Sequence, residues 1–207
     1  MSHHVGRTPT RIALTGGIGT GKSYILDFLA SHGVPTVDAD DLARAVVAPG
    51  GPAHLPLLEL FGPKVLDATG AVDRRWLGAL VFSDAGARRG LEGVVHPAAW
   101  LAVESWFQGL SGQPGVAAIP LLFETGREGG FDAVMVAICS EERQVCRVRA
   151  RDGLPEEEAL RRLATQIGED ERRARGGVVI DTNGTKAETK EQIRQVWCVW
   201  GLGTLDT

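Results

Sequence analysis

The stretch ALTGGIGTGKSYILDFLASHG, residues 13 to 33, constrains the fold more than any other part of the chain. It opens as an apolar run suited to a buried strand, places glycines at positions 16, 17, 19 and 21, and continues with Ile25, Leu26, Phe28 and Leu29 at helical spacing until Gly33 supplies a stop. Glycines at that density suit neither a strand nor a helix interior, so the chain must turn tightly between the two. Gly16, Gly21, Lys22 and Ser23 satisfy the pattern GxxxxGK(S/T) in the context that makes it specific, strand before and helix after. In such a loop successive main-chain N–H groups and the positive end of the following helix surround phosphates. Lys22 is then expected to reach the β and γ phosphates and the Ser23 hydroxyl to coordinate Mg²⁺, which makes ATP with Mg²⁺ the expected ligand.

The remaining chain reads as further α/β structure. VPTVDAD (34 to 40) is a second short strand whose apolar residues give way to Asp38 and Asp40 at the edge where open α/β sheets bind ligands. Residues from 41 to about 110 are mainly helical, broken by APGGP and FGP, with a helix start expected at His96-Pro97 and a buried face of Ala98, Leu101, Ala102, Val103, Trp106 and Phe107. GVAAIPLLFE (115 to 124), DAVMVAI (132 to 138) and GVVID (177 to 181) have the uninterrupted apolar character of strands covered on both faces. Between the last two lie Arg143, Arg147, Arg149, Arg151, Arg161, Arg162, Arg172, Arg173 and Arg175 among glutamates, as on a solvated helical surface with i,i+4 ion pairs. A last helix from about Thr185 carries Ile193, Val196, Trp197 and Trp200 as a packing stripe.

With 207 residues and 43% hydrophobic content the chain can bury one substantial core, and a net charge of −4 disfavours nucleic acid or an anionic membrane as partner. Cys139, Cys146 and Cys198 lack zinc or disulfide spacing and are expected to be buried, reduced residues. His3 and His4 read as a chance pair. The N-terminus lacks a signal-peptide core and no apolar run is long enough to span a bilayer, so a cytoplasmic protein is expected.

Neither an NKxD guanine-reading sequence nor a later DxxG is found, which weakens the GTPase class. A kinase for a small molecule needs an acceptor pocket, a carboxylate to orient the acceptor hydroxyl and positive charge over the transferring phosphoryl. The helical insertion, Asp38 with Asp40, and the arginine-dense segment are candidates for the three. A nucleotide-binding regulatory switch is the alternative from another class.

LTGGIGTGKS (14 to 23), VDADDLAR (37 to 44), VVHP (94 to 97), PLLFE (120 to 124), RVRARDGLPEEEAL (147 to 160), the glutamine of ATQ (164 to 166) and VIDTNG (179 to 184) together resemble the dephospho-CoA kinase family over nearly the whole chain. The resemblance implies a P-loop NTPase fold: a five-stranded parallel sheet flanked by helices, of the nucleoside-monophosphate-kinase type. Core segments would fall at about 10–40, 113–140 and 177–207, a helical CoA subdomain at 41–112 and a helical lid at 141–176. It also implies ATP-dependent phosphorylation of the ribose 3′-hydroxyl of dephospho-CoA. A kinase for a nucleoside monophosphate or a sugar is the alternative enzyme.

Position by position, the family's phosphate loop falls on Gly19, Thr20, Gly21, Lys22, Ser23 and Tyr24, and its catalytic base on Asp40. An aspartate after a strand serves equally as a helix cap or as a partner of bound Mg²⁺. Asp38 would support it, and Arg44, one helical turn beyond Asp40, suits acceptor phosphates. His96 is a substrate contact or a capping or core histidine, and Glu124 a substrate ligand or an arginine's partner. Arg147 and Arg151 would stabilise charge on the β and γ phosphates, with the other arginines of the segment at the surface. Two departures stand out: Tyr24 where threonine is usual, and Gly176-Gly177 where relatives commonly have Ala-Asp.

Overall fold

The computed structural model describes residues 8 to 205, so the His3-His4 pair lies outside the described residues. In chain order the elements are β1 (Arg11–Gly16), α1 (Lys22–Ser31), β2 (Thr36–Asp38), α2 (Ala39–Val46), α3 (His54–Phe61), α4 (Arg74–Ser83), α5 (Ala85–Gly109), β3 (Gly115–Ala118), β4 (Ala133–Ile138), α6 (Glu141–Asp152), α7 (Glu156–Ala164), α8 (Glu169–Ala174), β5 (Val178–Asp181) and α9 (Lys186–Val199). The chain divides into two compact units, residues 38–109 and the remainder.

The larger unit is built on a five-stranded parallel sheet of order β2-β3-β1-β4-β5, flanked by helices as expected. Register sets β1 between β3 and β4, with Ile12 opposite Val116 and Leu14 opposite Met135. Alternation along β4 separates two cores: Met135 and Ala137 join Ile25, Leu29, Ile193 and Trp197 beneath α1 and α9, whereas Val136 and Ile138 pack with Phe123 on the other face. The stripe on α9 is therefore a packing surface, with Ile193 and Trp197 buried. α6 and α7 form a third cluster around Val145, Val148 and Ala159.

Two strand expectations shorten. The ladder of GVAAIPLLFE ends at Ala118, because Pro120 has no N–H to donate, and Leu122 and Phe123 reach the core from a run of turns instead. VPTVDAD is a strand only over Thr36–Asp38.

The smaller unit, residues 38–109, is helical, with α5 packed on α2, α3 and α4, and its buried residues include Leu57, Val65, Leu77, Val103 and Phe107. His96-Pro97 does not start a helix; Pro97 sits inside the 25-residue α5. The start lies at Asp84, whose carboxylate accepts from the amides of Gly86 at 2.6 Å and Ala87 at 3.0 Å. Pro97 removes the donor for the Gly93 carbonyl, and because both residues are exposed, that carbonyl can turn to water. Leu101, expected on the buried face, is 68% exposed, since the helix buries a narrower stripe centred on Val103 and Phe107. Cys139 is buried as expected, but Cys146 and Cys198 are exposed.

The two amides at the start of α5 hold the Asp84 carboxyl below its ordinary value of 3.8. A depressed carboxyl stabilises the fold above its unfolded value and loses that contribution as pH falls through the folded value. Asp84→Ala should therefore lower the urea midpoint of unfolding at neutral pH with no change in slope, and the gap from the parent should narrow in acid; equal midpoints at neutral pH would exclude the cap.

Candidate active site

The phosphate loop runs from the end of β1 to the start of α1, and its glycines are required by the protein itself. A Cβ on Gly16 would lie 2.4 Å from the Ala137 carbonyl oxygen, and one on Gly19 would lie 2.8 Å from that of Gln144. Gly21, at φ +89°, supplies the left-handed turn into α1 and cannot cap it with a side chain. A glycine there offers no side-chain acceptor to the first-turn amides of α1, which lie at the positive end of the helix.

Three cationic or hydroxyl groups gather on this loop. The Lys22 ammonium donates to the carbonyls of Gly16 at 2.7 Å and Gly17 at 3.0 Å, which keeps it folded across the loop. Arg147, on α6, donates to the Gly19 carbonyl at 3.1 Å, the Thr182 hydroxyl at 2.9 Å and the Thr182 carbonyl at 2.7 Å. The Thr182 hydroxyl in turn donates to the Thr20 carbonyl at 2.8 Å, so the loop, α6 and the end of β5 are fastened together. Cys139 lies at the same junction, and burial pushes its thiol above the usual value although Arg147 opposes the shift.

The donor set suits magnesium. No group of three or more His, Cys, Asp or Glu among the described residues is arranged to hold a metal, and a phosphate-loop site needs none, since Mg²⁺ takes phosphate oxygens, water and one hydroxyl. Ser23 is exposed in the first turn of α1, in position to supply that hydroxyl. Tyr24 is engaged by the start of another element. Its hydroxyl donates to the Lys186 carbonyl at 3.3 Å and the Lys186 ammonium lies 5.3 Å from its ring centroid, so the side chain is directed to the start of α9.

The other expected residues fall in distinct surroundings. Asp38 caps α2 by accepting from the Asp40 amide at 2.9 Å, and Asp40 follows in the exposed first turn. Arg44 is ion-paired with Asp41, and both are exposed, so the pair contributes little to stability. His96 is on the exposed surface of α5. Arg151 is held by Asp152 at 2.7 Å, which raises the guanidinium's pKa and lowers the carboxyl's.

Glu124 is engaged by the protein: it accepts from Arg172 at 3.0 Å and from the Ile167 amide at 3.4 Å. Arg172 corrects the expectation that the other arginines of this segment are at the surface, because its side chain is 3% exposed. Burial pushes its pKa down and Glu124 opposes that shift. Sequence reasoning missed Thr182, Gln144 and Arg172; of these only Thr182 lay in a recognised motif, and nothing in the arginine run distinguishes position 172 from its neighbours.

Sheet order, phosphate loop and attendant cations define a P-loop phosphotransferase. The chain matches the dephospho-CoA kinase family over residues 10–188 and belongs to it. A dephospho-CoA kinase of Geobacter sulfurreducens is 44% identical over 189 residues, covering 90% of this chain and 96% of that one. A solved structure from Thermus thermophilus superposes with a TM-score of 0.81 at 36% identity, covering 93% of this chain and 98% of the other. The dephospho-CoA kinase structure from Campylobacter jejuni gives a TM-score of 0.66 at 25% identity, covering 94% and 98%.

Removing the carboxylate partner of a buried guanidinium leaves that charge uncompensated. Glu124→Ala should destabilise the protein by about 3 kcal/mol in urea unfolding, whereas Glu124→Leu combined with Arg172→Met should recover most of that loss. A single variant as stable as the parent would show that the pair is not structural.

Proposed function

We propose that the chain transfers the γ-phosphoryl group of ATP to the ribose 3′-hydroxyl of dephospho-CoA, giving CoA and ADP, the last step of CoA synthesis. The observation that carries this reading is a complete phosphate loop in a chain that matches the dephospho-CoA kinase family from residue 10 to residue 188. The amides from Gly19 to Tyr24 would receive the polyphosphate, with Lys22 and Arg147 countering charge as the phosphoryl group moves. Mg²⁺, held by Ser23 and phosphate oxygens, would neutralise the β and γ oxygens. Asp40 would orient the acceptor hydroxyl and take its proton, while Asp38, committed to the Asp40 amide, fixes where that carboxylate starts. Arg44 and His96 are assigned to the acceptor, and Arg44 would exchange its exposed partner Asp41 for a phosphate. Arg151 would contribute to the nucleotide only by leaving Asp152. Glu124, expected as a substrate ligand, is better supported as the partner of Arg172. Both substrates are small molecules, and the reading places the reaction in the cytoplasm, where ATP is held.

Purified protein with Mg-ATP should convert dephospho-CoA to CoA with release of ADP, and turn over nucleoside monophosphates or sugars far more slowly. Absence of turnover by folded protein, or preference for another acceptor, would overturn the assignment. Asp40→Asn should keep ATP affinity within about twofold while kcat falls by at least about 100-fold, the lower end expected for a lost general base. A variant nearly as fast as the parent would remove Asp40 from that role.

A further inference from the structure

The residue at the tip of the phosphate loop, Ile18, is bound on all of its groups by the arginine-rich segment 141–176. Its amide donates to the Gln166 side-chain oxygen at 2.8 Å, and its carbonyl accepts from the Gln144 side-chain nitrogen at 2.8 Å. Its side chain packs into the cluster of Val145, Val148 and Ala159 between α6 and α7. Gly17 leaves the space this needs, since a Cβ there would lie 2.7 Å from the Gln144 nitrogen and 3.4 Å from the Gln166 oxygen. The next carbonyl, that of Gly19, is taken by Arg147, one turn beyond Gln144 on α6.

Ile18 immediately precedes the amides assigned to the phosphates, so the orientation of its peptide governs theirs. A carboxamide is the side chain that supplies an acceptor to an N–H or a donor to a C=O without adding charge beside a polyanion. We infer that Gln144 and Gln166 are positioning residues for ATP: together they fix the Ile18 peptide and so hold the loop from Gly19 to Tyr24 in its phosphate-binding form. The far side of the same segment is anchored as well, because the Ile167 amide donates to Glu124 and the Ile167 carbonyl accepts from Arg172 at 3.2 Å. Residues 166 to 172 therefore tie the phosphate loop to the turn that follows β3.

The inference rests on the nucleotide half of the proposed reaction, and ATP affinity measured by calorimetry tests it whatever the acceptor proves to be. Gln166→Met, close in volume but without the acceptor, should weaken Mg-ATP binding about 5- to 10-fold, the amount expected from one partly buried hydrogen bond. It should also speed hydrogen exchange of the Ile18 amide at least tenfold by NMR, and leave KM for dephospho-CoA within about twofold. The two glutamines differ in role. Gln166→Glu keeps an acceptor, so Ile18 should stay protected while ATP binding weakens through repulsion that added salt relieves. Gln144→Glu adds the same charge but also loses the donor and faces a carbonyl, so part of its loss of ATP binding should persist at high salt. Unchanged Ile18 exchange in Gln166→Met, or ATP affinity unchanged in both Gln166→Met and Gln144→Glu, would overturn the inference. Should Gln166→Met fail to fold, Gln144→Glu and Gln166→Glu carry the same contrast between partly salt-resistant and salt-relieved loss, and identical behaviour of the two would overturn it equally.

Discussion

The arrangement depends on how closely the phosphate loop is packed against its own protein. Parallel pairing of β1 with β4 sets Gly16 beside Ala137, and the Gly16 position has no room for a Cβ. Gly19 is equally confined by the backbone of α6. Close approach to phosphate is the usual reason for glycine in such loops. Here the neighbours impose the same requirement before any phosphate is considered. A loop confined in this way has lost its conformational freedom on folding, so less remains to be lost on binding.

Electrostatics then separates cations that can serve a polyphosphate from those that hold the fold. Arg147 is gripped by two carbonyls and a hydroxyl, all neutral, so its position is fixed while its charge is not matched by any of them. Arg172 is buried and matched by the more accessible Glu124, and Arg44 and Arg151 each face a carboxylate. Sequence alone ranked these arginines by motif. The nature of the acceptor ranks them by chemistry: a guanidinium held by neutral groups keeps its field for a ligand, whereas one held by an acid spends much of that field internally.

The strand-loop-helix unit was legible because three local signals agreed: apolar run, glycine spacing and helical periodicity over residues 13 to 33. The β4 strand and the α9 stripe were legible for the same reason. Helix α5 was not, because Pro97 reads locally as a helix start and the true cap, Asp84, lies in a short polar stretch whose strength appears only when its carboxylate meets two amides. PLLFE read as strand because its apolar content is real, yet burial of Leu122 and Phe123 was achieved by turns. Within the site, residues contributed by the loop itself were readable, whereas Gln144, Arg172 and Thr182 act across sequence separations of 126, 48 and 162 residues. No periodicity links positions so far apart.

Tyr24 and Gly177, where the sequence reading expects departures, show how such distant contacts change the meaning of a substitution. Tyr24 does not simply omit a hydroxyl from the loop; its ring and hydroxyl reach α9 and hold the Lys186 ammonium beside the start of α1. Gly177 does not simply omit a carboxylate. It adopts φ +105°, and a Cβ there would lie 2.7 Å from the Val134 carbonyl oxygen, so the backbone entering β5 takes a course that an L side chain would strain. An aspartate introduced at that position would therefore alter the backbone before it supplied any charge. At both positions local geometry and side chain act together, and a reading of side-chain chemistry alone would misjudge each.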